Sequence, residues 1–257
     1  MTVRETVQVA PQALTRAAIH SRSAHSAWTA LVEHAAEPYR KAGHFAYGFA
    51  RGKLTLDPVF GAILRQNLLG ESARVLDLGC GQGLLAAWLH GAVRCHQGGL
   101  WPKGWPPPRS RVVRGIELMP SEVARGRRAL GAAFNVIQGD IRTAEFGEAD
   151  AVVVLDVMHY MPPHSQIETL RRVRTALSPG GLLLMRVGDA SAGARFVFTH
   201  YVDRLIMLAR GHGWFGTWCR AIEDWRALLG NSGFDSEAQW MSRGTPFANV
   251  LLIARAR

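Results

Sequence analysis

Four acidic residues of this chain each stand at or just after the end of a short apolar or β-branched run: Asp77, Glu117, Asp140 and Asp156. Three alternating glycines follow the first of them, at Gly79, Gly81 and Gly83. A glycine turn between a strand and a helix lets a ligand approach the main chain, and the first amides of the helix point at that ligand. These residues therefore predict a small-molecule site at the strand ends.

The spacing of the glycines excludes one common ligand class. A dinucleotide fingerprint, Gly-x-Gly-x-x-Gly, counted from Gly79 requires a third glycine at a position that Leu84 occupies here. The carboxylate of Asp77 is also poorly placed beside a pyrophosphate. The turn instead suits a ligand with a cationic amine and no phosphate.

The elements that must position these residues alternate along the chain. Continuous apolar runs predict buried strands near residues 75–78, 112–117, 134–138, 149–155 and 182–187. Helical spacing predicts intervening helices near residues 84–90, 120–133 and 166–177. Two further strands, 236–241 and 248–254, predict a C-terminal antiparallel hairpin. The pattern predicts an α/β fold with a doubly wound, mostly parallel seven-stranded sheet, which binds ligands at the carboxyl ends of its strands.

The chain divides into three parts. Residues 1–26 contain few large apolar side chains, which predicts a weakly ordered N-terminal segment. The pattern over residues 27–69 predicts a cap domain made of helices. Within it, Asp57 has the position of the N-cap residue of one helix. The aromatic and basic run 45–53 fits either a lid over a pocket or a helical pair packed on one sheet edge. Residues 70–257 carry the strands and helices described above.

Two segments within the third part interrupt its alternation. Residues 94–110 contain proline and glycine at a density that excludes a regular helix or a central strand, so we predict a surface insertion. Trp101 and Trp105 either cover an aromatic ligand or pack on the protein's own scaffold. Residues 188–220 predict a helical insertion on the substrate side, with an apolar helix over 196–209.

The composition is that of a globular protein with an unusual charge. The 257 residues carry a net charge of +10, almost wholly from arginine. This charge fits either a solvated surface or an acidic partner such as a nucleic acid, an anionic membrane surface or an acidic carrier protein. The cysteines, Cys80, Cys95 and Cys219, form neither a disulfide framework nor a zinc site, which favours a reducing cytoplasm.

Neither a signal peptide nor a transmembrane segment is evident, so we expect a cytoplasmic protein, with peripheral membrane contact left open and the oligomeric state undetermined. No cluster of His, Cys, Asp and Glu has metal-ligand spacing, and we predict no metal site.

The segment Val-Leu-Asp-Leu-Gly-Cys-Gly-Gln-Gly at 75–83 resembles the first motif of the class I S-adenosylmethionine-dependent methyltransferases. The resemblance extends over roughly residues 70–190 and includes, in order, Gly-Ile-Glu-Leu at 115–118, Gly-Asp-Ile at 139–141 and the run 154–160. It implies a Rossmann-like methyltransferase domain over 70–257 with S-adenosyl-L-methionine as cofactor.

The resemblance also implies roles for individual residues. The glycine turn would lie against the amino-acid portion and ribose of the cofactor, and Glu117 would accept hydrogen bonds from both ribose hydroxyls. Asp140 would accept from the adenine amino group, and Ile141 would pack on the ring. The full set of predicted cofactor-binding residues is Asp77, Gly79, Cys80, Gly81, Gly83, Glu117, Leu118, Asp140, Ile141 and Asp156.

The loop after the fourth strand carries the candidate catalytic residues. His159 can remove a proton from an acceptor hydroxyl or an activated ring carbon, or it can be a histidine bonded to backbone within that loop. Tyr160 either orients the acceptor or forms a wall of the pocket.

The acceptor class depends on segments outside the common core. The fourth-strand loop, Asp156-Val157-Met158-His159, lacks the Asn/Asp-Pro-Pro-aromatic sequence of many nucleic-acid amine methyltransferases. The segments 38–40, 49–54, 105–108 and 244–250 resemble small methyltransferases of bacterial aryl-polyene and xanthomonadin-type pigment clusters. This resemblance implies a secondary-metabolism enzyme that methylates a hydroxyaryl acceptor, either free or tethered to an acidic acyl carrier protein. The alternatives are an RNA methyltransferase and a cofactor-binding accessory protein without turnover.

Overall fold

The computed structural model describes residues 26–193, 217–241 and 248–257. The predicted N-terminal segment, apart from Ser26, therefore lies outside the described residues. So do the predicted apolar helix over 196–209 and the greater part of the 188–220 insertion.

The described strands form one seven-stranded sheet in the order β3-β2-β1-β4-β5-β7-β6. Their bounds are β1 Arg74–Leu78, β2 Val112–Glu117, β3 Asn135–Gln138, β4 Ala149–Leu155, β5 Leu177–Gly188, β6 Phe234–Trp240 and β7 Asn249–Ala256. Strands β1 to β5 pair in parallel, while β7 pairs antiparallel with both β5 and β6. The predicted doubly wound α/β fold with its C-terminal hairpin is confirmed.

Helices cover both faces of this sheet. Among the described residues they are α1 26–36, α2 His44–Leu56, α3 Pro58–Arg65, α4 Leu84–Gln97, α5 Pro120–Leu130, α6 Pro163–Ala176 and α7 Ile222–Asn231. One hydrophobic cluster joins α1–α4 to the sheet around Trp88, and a second joins α6 and α7 around Leu170 and Trp225. Helix α4 continues to Gln97, seven residues beyond the predicted end at His90, because Ala92 and Cys95 remain buried on its inner face. The prediction that 94–110 contains no regular helix is therefore wrong for residues 94–97.

The strand order reverses at β1, whose neighbours are β2 on one side and β4 on the other. In a doubly wound sheet this reversal opens a crevice at the carboxyl ends of the two central strands. The glycine turn follows β1 and the segment carrying His159 follows β4, so the topology brings both to this crevice.

The helices before β1 pack closely on α4. The Trp88 ring lies in edge contact with Trp28 and Phe60, at centroid distances of 5.2 and 6.0 Å. The indole N–H of Trp88 donates to the backbone carbonyl of Phe60 at 2.9 Å. Asp57 caps α3 by accepting from the N–H of Val59 at 3.1 Å, in the position that the sequence predicts.

The proline- and tryptophan-rich segment packs on this same helical layer. The rings of Trp101 and Trp105 meet in edge contact at 5.6 Å, and Trp105 meets Trp28 at 6.1 Å. The guanidinium of Arg65 lies 5.7 Å from the Trp105 ring centroid, within cation–π range. Of the two predicted roles for these tryptophans, the described contacts are those of packing on the scaffold.

No helix in the described part of the chain is long and apolar enough to cross a membrane.

Two glycine substitutions test the packing around the glycine turn. A Cβ on Gly126 of α5 would lie 2.3 Å from the Phe134 ring and 2.8 Å from the carbonyl oxygen of Gln82, so Gly126→Ala forces backbone or ring to move. We expect a loss of about 1–3 kcal/mol in the free energy of unfolding, measured by urea denaturation. Gly48→Ala on α2 is the control, because its Cβ would meet nothing within 4 Å.

The control substitution should raise the free energy of unfolding by about 0.4–1 kcal/mol, since alanine restricts the unfolded chain. Equal stability of the two variants would contradict the packing described here.

Candidate active site

The turn after β1 is fixed to the neighbouring strand by its own backbone. The N–H groups of Gly79 and Cys80 both donate to the carbonyl of Ile116 in β2, at 2.8 and 3.2 Å. Gly79 has φ +71°, and a Cβ there would lie 2.4 Å from the Val157 side chain. The turn after β1 and the segment after β4 can therefore touch only because residue 79 is glycine.

Gly81 is the position in this turn that is open to a ligand. Its φ is +55°, and a Cβ would meet nothing within 4 Å, so the space beside it is free. Gly83, the residue just before α4, has a left-handed backbone conformation and packs against the Phe134 ring. The Cys80 side chain is directed into the core, where its Sγ would touch a Cβ on Gly115 at 2.5 Å. Only the main chain of Cys80 can then face a ligand.

Asp77 is a buried carboxyl in the central strand, 5% exposed. Burial, together with the nearby charge of Glu117, raises its pKa to about 7. A cation placed beside Asp77 would stabilise its ionised form. This property fits the cationic amine that the sequence predicts at this position.

Glu117, at the end of β2, binds two backbone amides. Its Oε2 accepts from the N–H of Gly81 and its Oε1 from the N–H of Met119, both at 2.8 Å. These bonds fix the carboxylate plane beside the open side of the turn, and each oxygen keeps a second lone pair. The arrangement fits a cis-diol. The next residue, Leu118, is 53% exposed and can contribute apolar surface to a ligand.

Asp140 follows β3 and is held by Arg142. One carboxylate oxygen accepts from the Arg142 backbone N–H at 2.9 Å, and the other from its Nε at 2.8 Å. This hydrogen-bonded charge keeps the pKa of Asp140 below its usual value. Ile141 is buried directly after it. Sequence reasoning missed Arg142, although an arginine two residues after a strand-end aspartate was a visible signal.

Asp156, at the end of β4, belongs to a partly buried network of four charges. Arg186 of β5 is 1% exposed and donates through Nε to Asp156 at 2.7 Å, while another nitrogen of its guanidinium contacts Asp57. The Nζ of Lys53 lies 2.9 Å from Asp57 and 3.5 Å from Asp156. Burial would raise the pKa of Asp156, but the charges of Arg186 and Lys53 outweigh it and hold that pKa well below its usual range.

This network changes the surroundings of a predicted site residue. The sequence predicts Asp156 as a cofactor ligand, and the structure shows its carboxylate paired with Arg186. Sequence reasoning missed Lys53 and Arg186 and predicted Asp57 only as a helix cap. An arginine in the otherwise apolar strand β5 is the signal that could have revealed the network, because such a charge requires an acidic partner.

The candidate catalytic residues lie on a single 3-10 turn, Met158–Tyr160. His159 is 6% exposed, and its ring lies 4.1 Å from that of Tyr160. The carbonyl of His159 accepts from the N–H of Trp218 at 2.7 Å. The preceding Val157 touches the glycine turn, so this turn lies next to the predicted cofactor site.

The described residues contain no group of three or more His, Cys, Asp and Glu side chains that could hold a metal ion. Burial raises the pKa of both the Cys80 and the Cys95 thiol, which makes each a poor nucleophile.

A family described as "Methyltransferase domain" matches residues 51–239, which is more than half of the chain. Among curated proteins, the carboxy-S-adenosyl-L-methionine synthase of Chromohalobacter salexigens is 30% identical over 128 residues, covering 48% of this chain and 43% of that protein. The enzyme of the same name from Enterobacter sp. strain 638 is 28% identical over 148 residues, covering 54% and 55%. The chain thus spans about half the length of the curated relatives it matches.

Solved structures share the fold at low sequence identity. An O-methyltransferase family protein from Burkholderia thailandensis aligns over 84% of this chain and 61% of its own, with 18% identity and a TM-score of 0.57. Human N-acetylserotonin methyltransferase in complex with S-adenosylmethionine aligns over 88% and 66%, with 18% identity and a TM-score of 0.54. The magnesium protoporphyrin IX methyltransferase of Synechocystis PCC 6803, solved with bound S-adenosylhomocysteine, aligns over 86% and 94%, with 17% identity and a TM-score of 0.52.

The raised pKa of Asp77 predicts a pH dependence of ligand binding. Below a pH of about 7 this carboxyl is protonated and cannot pair with an amine, so binding of S-adenosylhomocysteine should tighten as the pH rises from 5.5 to 7.5. Asp77→Asn should abolish this dependence and weaken binding by about tenfold or more at pH 7.5, the loss of a charged hydrogen bond. Titration calorimetry measures both effects, with Asp235→Asn on exposed β6 as the control.

The raised pKa of Asp77 also predicts a pH dependence of the stability of the unliganded protein. Stability should fall as the pH rises, whereas ligand binding should tighten. Because the pKa of Asp77 is raised on folding, the stability it contributes is present below pH 4 and is lost as the pH rises to about 7. In Asp77→Asn this loss should be absent when the free energy of unfolding is measured by urea denaturation at a series of pH values. An unchanged pH dependence of binding and stability in the variant would refute the assignment.

Proposed function

The chain belongs to the methyltransferase-domain family, and from that premise we propose that it binds S-adenosyl-L-methionine and transfers the methyl group to a hydroxyaryl acceptor, free or tethered to a carrier. The observation that carries the cofactor part is the set of carboxylates around the open turn. Buried Asp77 suits the cationic amine, and Glu117 suits the ribose diol.

Methyl transfer from a sulfonium is an in-line displacement, so positioning and exclusion of water dominate its catalysis. The bound cofactor would supply an electrophilic methyl group. The glycine turn would hold the amino-acid end. The turn Met158–Tyr160 lies beside it through Val157 and would face the acceptor. A lone pair of the acceptor oxygen would form the new C–O bond, and the electron pair of the broken C–S bond would leave with sulfur.

The acceptor proton needs a receiver, and His159 is the residue proposed for this role. It is buried, it lies on the segment that touches the glycine turn, and its backbone is fixed by Trp218. A neutral imidazole can take the proton of a phenolic hydroxyl at neutral pH. The Tyr160 ring lies tilted against the imidazole, with 51° between the ring planes, and can orient the acceptor ring.

Aromatic surface near His159 supports an aromatic acceptor. The ring of Tyr160 is adjacent, and Trp218, whose amide binds the His159 carbonyl, is 40% exposed. The aligned structures include an O-methyltransferase family protein and an N-acetylserotonin methyltransferase, which are compatible with a small hydroxylated or aromatic acceptor. The net charge of +10 is compatible with delivery of the acceptor by an acidic carrier protein.

The sequence relatives support a second candidate function. Curated relatives of the chain include carboxy-S-adenosyl-L-methionine synthases, whose name describes a modified cofactor as the product. On this alternative, the chain would modify S-adenosylmethionine itself and would need no aromatic methyl acceptor.

A mass-spectrometric assay separates these functions. The protein is incubated with S-adenosylmethionine and a panel of hydroxyaryl acids, their acyl-carrier thioesters, bulk RNA, or a small carboxylate donor. A methylated aryl product together with S-adenosylhomocysteine supports the proposal. A carboxylated cofactor supports the alternative, methylated RNA supports a nucleic-acid enzyme, and cofactor binding without any product supports an accessory protein.

The role of His159 has its own test. His159→Asn removes the base but keeps a polar side chain of similar reach, so kcat should fall about 10²–10⁴-fold while the Kd for S-adenosylhomocysteine stays unchanged. His164→Asn, on the exposed start of α6, is the matched control and should retain wild-type kcat. A His159→Asn variant with wild-type kcat would exclude this residue as the base.

A further inference from the structure

Gln166 of α6 is fully buried, at 0% exposure, and its amide group is surrounded by polar partners. Its Nε2 lies within hydrogen-bond distance of three backbone carbonyls: Met158 at 3.1 Å, Met161 at 3.0 Å and Trp218 at 2.9 Å. Its Oε1 accepts from the Nε of Arg220 at 2.6 Å. One side chain thus connects three separate backbone positions and a guanidinium.

The three carbonyls enclose the candidate catalytic turn. Met158 and Met161 lie immediately before and after the pair His159 and Tyr160. The carbonyls on both sides of this pair therefore accept from the same nitrogen, Nε2 of Gln166. Trp218 closes the arrangement from the other side, because its N–H donates to the His159 carbonyl while its own carbonyl accepts from Gln166. Rotation of the turn would break several of these bonds together.

Arg220 is itself held in place. Its carbonyl accepts from the N–H of Ala190, just after β5, at 3.1 Å, and its backbone forms a β-bridge with Asp189. Its guanidinium lies 5.6 Å from the Trp225 ring of α7. Contacts with the residues after β5 and with α7 therefore hold Arg220, and Arg220 in turn holds the Gln166 amide of α6.

The polar character of Gln166 needs a reason beyond packing. A buried amide loses its hydration, and a methionine of similar volume would fill the same space at no such cost. What methionine cannot provide is direction, since amide hydrogens impose distance and angle on each carbonyl they bind.

We propose that Gln166, supported by Arg220, is a positioning residue that fixes the orientation of His159 and Tyr160 toward the acceptor. The inference rests on the proposed role of His159 and assigns a second residue to that function. It requires that loss of the amide donors loosens the turn and slows turnover, while the cofactor site at the glycine turn, which Gln166 does not contact, keeps its affinity.

The test uses two variants of the full chain. Gln166→Glu keeps the shape but replaces the N–H donors by oxygen, and Gln166→Met keeps the approximate volume without polar atoms. Gln97→Glu, the same chemical change at the exposed end of α4, is the matched control. Hydrogen–deuterium exchange should become about tenfold faster, or more, in peptides covering 158–162 and 217–220, with no change in the peptide covering the glycine turn.

Kinetic measurements distinguish a positioning role from a purely structural one. At a temperature where both variants remain folded, kcat should fall about tenfold or more, while the Kd for S-adenosylhomocysteine stays near the wild-type value. Wild-type exchange in both peptides, or unchanged kcat in Gln166→Met, would overturn the proposal. If Gln166→Glu does not fold, the results for Gln166→Met still test the positioning role.

The outcomes also separate this inference from the proposed function. The exchange measurement needs no acceptor, so a wild-type protein without methyl transfer would refute the proposed function and leave exchange to decide whether Gln166 holds the turn. Active wild-type protein with variants of equal kcat would refute the positioning role alone.

Discussion

The buried guanidinium of Arg186 is the constraint on which the structure at the carboxyl ends of β4 and β5 depends. A charge 1% exposed in a central strand is tolerated only with acidic partners, and here they come from two different parts of the chain, Asp156 after β4 and Asp57 at the start of α3. Breaking a buried pair of this kind typically costs about 3–5 kcal/mol. The pairing therefore fixes the helices before β1 against the carboxyl ends of β4 and β5.

This constraint also accounts for the backbone conformation just before the candidate catalytic turn. Asp156 has φ +61°, a conformation that is unfavourable for most residues with a side chain but tolerated by aspartate. The bonds from Arg186 hold it there, and the chain turns at once into the segment that carries His159. Farther along, Gln166 fixes the other end of that segment. The two networks bracket the residues proposed to handle the acceptor.

The cofactor side is connected to the same helical layer. The hydroxyl of Tyr39 donates to the carbonyl of Gln82 in the glycine turn at 3.0 Å, and the Gln82 side chain donates to the carbonyl of Ala46 in α2 at 3.3 Å. Helix α2 thus contacts the turn through Gln82 and the ion-pair network through Lys53. The helices that precede the sheet in sequence therefore contact both the glycine turn and the ion-pair network.

Local patterns determined the fold and the positions of the acidic residues. Apolar runs ending in Asp77, Glu117 and Asp156, with glycines after the first, specify a parallel sheet and a polar strand-end crevice, because strand burial and turn chemistry are short-range properties of sequence. Tertiary structure alone decided which groups meet there. The pairing of Arg186 with residues 129 and 30 positions away, and the contact of Gln166 with Trp218 across 52, depend on how helices dock on the sheet. Periodicity carries no information about such distant contacts, since they arise only when the packed core brings separate segments together.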